Sequence, residues 1–294
     1  MRISAKTLHE NLVSYLFLSP ILLFFIVFML IPLAWTIYLS FFAGGILQGL
    51  RFAGINNFLT LFRNRIFLTS LRVTGIYVVI IIPVVIAISL FLAVLVVDRH
   101  IRGKNVFKVA LFFPNLAPMV VLAVLWYFII HPEIGMFNIV LRSLKISPPN
   151  WLGSSSYALA AIILLELWRG VGFYMVIYIA ALIAIPNELY EAAIIDGAMG
   201  FRRLTRITLP LIRPTLLFTL VMATIWNFQF FDSVFVLTRG GPANSTSSVV
   251  WYIYANAFQY DKLGFASTMA VVLMVIILIL SLLQFKFLRS DFYY

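Results

Sequence analysis

The sequence predicts an all-α polytopic membrane protein with six transmembrane helices, and three observations carry this. Of 294 residues, 63% are hydrophobic and 11% charged, with mean hydropathy +1.07, whereas soluble domains carry about 25% charged residues. An apolar fraction this large has no soluble core to fill, so the chain must meet lipid. The apolar residues also fall in long runs, and a helix needs about 20 of them to cross about 30 Å of hydrocarbon. The alternation of a barrel strand is absent, and backbone groups in lipid must be satisfied within the segment, as a helix does.

Residues 1–13 are short, polar and mildly basic. The apolar run 13–42 follows. A secretory signal has an apolar core of about 7–15 residues and then a small-residue cleavage site. This run is far longer and contains Pro20 and Pro32, so it reads as an uncleaved first span. In the next segment, RFAGINNFLTLFRNRIFLTSLR, residues Phe58, Leu61, Phe62, Phe67 and Leu71 recur at roughly helical spacing. Either an amphipathic helix at the interface or a solvated loop with scattered apolar residues fits that pattern.

Five further spans are expected at 73–97, 109–130, 157–185, 216–237 and 265–288, of which 157–185 and 216–237 carry polar interruptions. Six spans put both termini on one side. Twelve lysines and arginines fall on that side and eight on the other, with Arg169 inside a span, so the positive-inside bias places both termini in the cytoplasm. Four arginines in the first external loop (Arg51, Arg63, Arg65, Arg72) weigh against it. The external loop 131–156 holds the turn signals His131-Pro132, Pro148-Pro149-Asn150 and Gly153-Ser154-Ser155-Ser156. The loop 238–264 opens with Gly240-Gly241-Pro242 and a Ser/Thr run that favours local side-chain-to-backbone bonds. Both are long enough to touch an external partner.

The net charge of +11 and pI near 10.0 would suggest nucleic acid as a partner of a soluble protein. In a membrane chain the basic loops face anionic headgroups instead, and no nucleic-acid partner is expected. The chain has no cysteine, which excludes disulfides, Fe–S clusters and Cys-ligated zinc. His9, His100 and His131 show no metal-ligand spacing. The only Gly-Lys pair, Gly103-Lys104, is followed by Asn105 and has no glycine five positions earlier, so there is no P-loop; H-E-x-x-H and G-x-S-x-G are also missing. Catalysis and a cofactor in this chain are not expected.

Three ionisable residues fall inside expected spans: Glu166, Arg169 and Asp232. Each costs about 2.5–3.5 kcal/mol at a helix centre. Glu166 and Arg169 are three apart, share a helix face and can pair; such a pair either sets helix packing or lines a path. Beside them stand Trp168, Gly170, Gly172 and Tyr174, and paired small residues allow close helix approach or a local break. Asp232 follows Trp226-Asn227-Phe228-Gln229-Phe230-Phe231. Rings that cover C–H faces, alternating with amides that bond hydroxyls, suit a hydroxyl-rich ligand. An interfacial aromatic belt near a helix end has the same composition. On polarity alone, Glu166, Arg169, Tyr174, Asn227, Gln229 and Asp232 are the candidates for a solute path.

The long polar interruption 185–214 is acidic first (Glu188, Glu191, Asp196) and basic later (Arg202, Arg203, Arg206, Arg213). Pro186 suits a first helical turn, or Asn187 caps it, and the two glutamates then sit where the helix dipole favours anions. Asp196-Gly197 can end this helix through a left-handed glycine. A second basic piece can run from Gly200 to Thr208, and Pro210 begins the return to the membrane. Small alanines beside a glutamate make a slim face that fits a cleft on another protein; an ordinary re-entry loop accounts for the same residues.

The run EAAIIDGAMGFRRLTRITLPLIRP resembles the EAA signature of ABC-importer permeases: E-A-A at Glu191-Ala192-Ala193, D-G-A at Asp196-Gly197-Ala198, and I-x-L-P at Ile207-Thr208-Leu209-Pro210. FAGINNF, IGMFN at 134–138, WLGSSSYALAAIILLELW at 151–168 and LTRGGPANST at 237–246 are similar to segments of carbohydrate-uptake permeases, and the likeness runs from about Phe52 to the C-terminus. LTRGGP favours the maltose-permease large-subunit-like or glycerol-phosphate-permease-like branch. The resemblance implies a type I ABC importer transmembrane domain in a prokaryotic cytoplasmic (inner) membrane. Residues 1–72 would form an N-terminal segment with the first span and external loop, and 73–288 the permease core with a cytoplasmic EAA loop at 186–214.

The implied partners are a second homologous permease subunit, two ABC ATPase subunits that use ATP and Mg2+, and an extracytoplasmic solute-binding protein. The implied mechanism is ATP-driven alternating access. Leu189, Glu191, Ala192, Ala193, Asp196, Gly197 and Ala198 would dock the ATPase: Glu191 meets a basic residue, Leu189, Ala192 and Ala193 fill a groove, and Gly197 permits the turn. The solute would be a sugar or related polyol. A phosphate ester needs a cation, and Arg169 is the only arginine within a span, which favours neutral sugars. Two other readings stand beside this one. A proton-coupled secondary transporter would use Glu166 and Asp232, but the inverted halves expected of one are not seen. A non-transporting membrane assembly protein would need no path.

Overall fold

The computed structural model describes residues 5–97 and 103–288. Arg2, Arg99, His100, Arg102 and Arg289, which enter the sequence reading above, lie outside the described residues. In chain order the elements are α1 (Ala5–Phe25), a π-helical turn (Ile26–Leu30), α2 (Ile31–Leu39), β1 (Phe42–Gly45), β2 (Gly49–Phe52), α3 (Asn56–Leu61), α4 (Arg65–Val97), α5 (Lys104–Leu116), α6 (Met119–Ile129), α7 (Met136–Ser143), α8 (Ala158–Ile183), α9 (Asn187–Ile195) and α10 (Gly200–Arg203). A second π turn (Leu204–Thr208), α11 (Leu209–Leu211), α12 (Arg213–Phe228), α13 (Asp232–Leu237), α14 (Val249–Tyr254), a third π turn (Ala255–Gln259) and α15 (Leu263–Leu288) complete the described chain. Among the described residues, five helical stretches are long and apolar enough to cross a membrane: Ser14–Leu39, Arg65–Val97, Ala158–Ile183, Arg213–Leu237 and Leu263–Phe287. The pair α5–α6 makes a sixth if its two halves count as one span.

Backbone contacts divide the chain into two compact units, Met1–Arg63 with Ile253–Val272, and Asn64–Tyr252 with Leu273–Tyr294. In the first, Pro32 follows the first π turn for a steric reason. Proline has no N–H to give, and its ring presses on the carbonyl four residues back. The helix widens ahead of it, so that the Ile31 N–H reaches five residues back to the Ile26 carbonyl. The turn ahead of Pro210 does the same, with the Leu209 N–H on the Leu204 carbonyl. After α2 the chain forms an antiparallel hairpin, β1 on β2, with Phe42 opposite Phe52 and Gly45 opposite Gly49. Asp261 holds its turn: the carboxylate accepts the N–H groups of Ile46 (2.8 Å), Leu47 (3.0 Å) and Gln48 (3.0 Å). Asn57 clamps the hairpin's entry, its Nδ2 donating to the carbonyls of Ser40 (3.0 Å) and Phe42 (2.7 Å).

The second unit begins with a departure from the expected span limits. The second span starts at Arg65 rather than 73, because Asn64 caps it: its Oδ1 accepts the Phe67 N–H at 2.9 Å. Segment 51–72 is therefore neither one interfacial helix nor a solvated loop. Leu61 and Phe67 are buried, in α3 and α4 respectively. The expected span 109–130 differs in form. It is two helices bent by 105°. Proline disfavours helical backbone in the residue before it, and Ala117, just ahead of Pro118, is extended (φ −83°, ψ 144°).

Around α8 pack α4, α5, α12 and α13. A Cβ at Gly172 would run into the Leu111 carbonyl, so this glycine lets α5 ride directly on α8. Of the two outcomes open to Gly170 and Gly172, close approach or a helix break, the structure has the first, since α8 is continuous. Tyr178 and Thr219 join α8 to α12 through their hydroxyls at 2.7 Å.

Loop 131–156 is tied to one residue. Asn138 of the IGMFN segment is fully buried; its Nδ2 donates to the carbonyls of Ile130 (3.3 Å) and His131 (3.0 Å), and its Oδ1 accepts the Trp151 indole N–H at 2.8 Å. The loop after α13 turns inward. Arg239, Gly240, Ala243 and Asn244 all have positive φ, and Thr246, Ser247 and Ser248 are buried. Ser247 Oγ lies 2.9 Å from Ser70 Oγ, and Ser248 Oγ donates to the Phe230 carbonyl at 2.9 Å.

Candidate functional site

A cavity of about 500 Å³ opens among α4, α5, α6, α8, α12 and α13. It lies where the fifth span breaks. Helix α12 ends at Phe228, residues 229–231 are non-helical, and α13 begins at Asp232. Free backbone groups at membrane depth are tolerated where they are buried in protein or line a cavity, and both conditions hold here. The Gln229 N–H bonds back to the Trp226 carbonyl at 3.1 Å, and the freed Phe230 carbonyl takes the Ser248 hydroxyl.

All six residues that sequence polarity singled out line this cavity: Glu166, Arg169 and Tyr174 from α8, Asn227 from α12, Gln229 from the break and Asp232 from the first turn of α13. Glu166 and Arg169 approach to 3.8 Å, a long and partly screened pair. Glu166 also accepts a hydrogen bond from Ser233 at 2.8 Å, so its carboxylate is held from two sides. Asn227 is oriented twice: its Oδ1 accepts the Tyr77 hydroxyl at 3.0 Å and its Nδ2 donates to the Ala223 carbonyl at 2.8 Å. An amide has two donors and two acceptor sites, so one of each remains for a guest. The aromatic walls are Tyr77, Phe173, Trp226, Phe230 and Phe231. Tyr77 and Phe230 stack at 3.8 Å between centroids.

Sequence reasoning missed Tyr77 and Asn115. Tyr77 is a lone tyrosine in an aliphatic stretch of α4, the signal that would have found it; Asn115 directly follows Pro114 at the bent span. Phe228, in contrast, is buried and does not line the cavity.

The second candidate region is the helix-turn-helix 187–211. Helix α9 begins after Pro186 and ends at Asp196. Gly197 takes φ +71°. Its N–H bonds the Ile194 carbonyl at 3.0 Å, and the Ala198 N–H bonds the Ala193 carbonyl at 2.8 Å, which is a Schellman stop. Of the expected docking set, Leu189, Glu191, Ala192, Asp196 and Gly197 are exposed and Ala198 is half-buried. Ala193 is 3% exposed; it is covered by its own chain and supports the helix from within. The most exposed apolar side chains of the region are ones the sequence reading passed over, Ile195 at 87% and Phe201 at 79%, with Met199 between them. Their signal was plain, three large apolar residues in a charged stretch.

Comparisons with known proteins agree with this architecture. Residues 85–290 match the family described as binding-protein-dependent transport system inner membrane component. The chain is 33% identical over 285 residues to the probable ABC transporter permease protein YurN of Bacillus subtilis, covering 96% of this chain and 97% of the relative. It is also 33% identical to the arabinooligosaccharides transport system permease protein AraP of Bacillus subtilis, covering 92% and 87%, and 33% identical to the lactose transport system permease protein LacF of Rhizobium radiobacter, covering 92% of each. A chain in the crystal structure of a bacterial ABC transporter that imports the acidic polysaccharide alginate shares the fold, with TM-score 0.86 at 22% identity over 98% of this chain and 99% of that one. With apolar spans, a broken fifth span and matches that run nearly end to end, the chain belongs to the family of binding-protein-dependent transport system inner membrane components.

Proposed function

We propose that this chain is a permease subunit of an ATP-driven importer that carries a sugar or related polyol across the cytoplasmic membrane by alternating access. The cavity at the broken span carries the reading. Its volume falls within the range of about 300–1,000 Å³ common to small-molecule sites. Its lining pairs aromatic faces with pre-set amides, which is the chemistry a neutral, hydroxyl-rich solute needs: Trp226, Phe230 and Phe231 cover C–H faces, while Asn227 and Gln229 bond hydroxyls. Glu166, Arg169, Tyr174 and Asp232, with Tyr77 and Asn115, complete the polar lining of the path. The names of relatives that carry arabinooligosaccharides and lactose support the sugar class.

Energy comes from outside the chain, which has no P-loop of its own. Two ABC ATPase subunits, using ATP and Mg2+, supply it. The α9–α11 loop is the handle on the cytoplasmic side, with both termini there. Glu191, Leu189 and Ala192 meet the ATPase, joined by Ile195 and Phe201. The Schellman turn at Gly197, with Asp196 and Ala198 around it, gives the handle a fixed shape. A second, homologous permease subunit closes the path, and an extracytoplasmic solute-binding protein delivers the solute; a solved alginate importer of this fold binds such a protein.

The test is co-purification of the chain with its associated proteins, followed by ATP hydrolysis and sugar uptake in proteoliposomes. ATP-dependent uptake that requires a binding protein is expected. Uptake driven by a proton gradient without ATP, or no ATPase in the complex, overturns the reading.

A further inference from the structure

The second unit holds another cavity, of about 680 Å³, away from the proposed solute path. One wall is apolar, built from residues 94–97 at the end of α4 and from Leu182, Ile183 and Ile185 at the end of α8. The other is cationic, with Lys104 and Lys108 of α5 and Arg203 of α10. The apolar spans end at Val97 and Ile183. The cavity therefore sits where these two spans end, with Lys104 and Lys108 in the first two turns of α5.

Among the described residues, no carboxylate lines the cavity and none pairs with Lys104, Lys108 or Arg203. Lys104 and Lys108 are four apart, so like charges share one face of α5, an arrangement that repels when left unanswered. The Arg203 guanidinium sits 5.4 Å over the Tyr190 ring, which holds its planar fork at the cavity without neutralising it. A free anion would satisfy the cations but leave the apolar wall bare, where Leu95 and Ile183 are exposed. A ligand with an anionic head and a hydrocarbon tail satisfies both walls at once.

We propose that this cavity binds an anionic phospholipid of the phosphatidylglycerol type, its phosphate on Lys104, Lys108 and Arg203 and an acyl chain along Leu95 and Ile183. Basic pockets between spanning helices suit such headgroups. Asn187 and Tyr190 of α9 line the same cavity, so the bound headgroup joins α5 to the α9–α10 loop. The site is independent of which solute the chain carries.

The full chain, purified in neutral detergent, is offered phosphatidylglycerol or phosphatidylcholine, and retained lipid is counted by native mass spectrometry. Retention of phosphatidylglycerol about fivefold or more above phosphatidylcholine is expected, since each cation near the headgroup is worth at least that factor. The variant Lys104→Gln/Lys108→Gln/Arg203→Gln loses the preference, and Lys104→Arg/Lys108→Arg keeps it. A photoreactive phosphatidylglycerol on the unaltered protein gives a second reading, with label expected on peptides from α5, α8 or α10. Equal retention of the two lipids, an unchanged preference in the glutamine variant, displacement by millimolar inorganic phosphate, or label absent from those peptides each overturns the proposal.

Discussion

Two polar interruptions of this oily chain meet opposite fates. Both rely on glycines with positive φ and both carry family-like sequence, yet 187–211 turns its apolar residues outward and 238–248 turns its hydroxyls inward. In the first, Ile195 and Phe201 stand in the open beyond the ends of the spans. In the second, Thr246, Ser247 and Ser248 are sealed in the protein and bonded to α4 and to the broken fifth span. The difference follows from what each region must satisfy. A broken span frees backbone groups that lipid cannot bond, so nearby hydroxyls are drawn in to serve them. A helix stopped by its own Schellman turn has no such debt, and its outward apolar side chains suit a protein partner. One loop is thus an internal brace, and the other is the handle in the function proposed above.

Four substitutions test this contrast, from the largest expected effect to the smallest. Gly240→Ala strikes the brace. Gly240 has φ +83°, and a Cβ there would meet the Trp251 indole. Left-handed backbone costs an ordinary residue about 1–2 kcal/mol, and overpacking adds about 1–3 kcal/mol. A marked fall in folded yield and in thermal midpoint in detergent is expected. Ser248→Ala removes the donor to Phe230 and the acceptor of the Trp251 N–H; leaving buried groups unpaired costs about 1–3 kcal/mol. The thermal midpoint should drop less than for Gly240→Ala, and uptake should fall because the break beside the cavity loosens.

Gly197→Ala strikes the handle. Gly197 has φ +71° but nothing within 4 Å of a new Cβ, so only the backbone term of about 1–2 kcal/mol applies, and it falls on one exposed turn. Folded yield should hold while coupled ATP hydrolysis declines. Ile195→Ser should leave stability within about 0.5 kcal/mol, as exposed substitutions do, yet weaken co-purification of the ATPase. A thermal midpoint that falls as far for Gly197→Ala as for Gly240→Ala would erase the distinction between brace and handle.

Much of this contrast was legible in the sequence, and the reasons are local. The spans declare themselves by apolar length, and α9 with its stop at Asp196-Gly197 is written in caps and glycines. Six of the cavity's polar residues were findable because a polar group in a span is costly and needs a reason. What escaped the sequence depends on distant partners. Asp261 fixes a hairpin turn more than 200 residues away in the chain, and no local pattern links them. Nothing in TSS at 246–248 says that Ser70 and Phe230 wait for those hydroxyls. The bend of the third span was half visible, since Pro114 and Pro118 stood in the expected run, but its 105° depends on Ala117 going extended. The early start of α4 turned on the Asn64 cap, whose signal was masked by four arginines read as loop.

The proposed coupling through α9 is tested by ATP-dependent sugar uptake in proteoliposomes by the complex carrying Glu191→Lys, compared with the unaltered complex. Glu191 is exposed on α9, so the substitution should leave insertion, folded yield and binding of solute untouched. Uptake is expected to fall to background, with ATP hydrolysis no longer responding to solute and binding protein. Normal uptake in the Glu191→Lys complex would contradict that coupling.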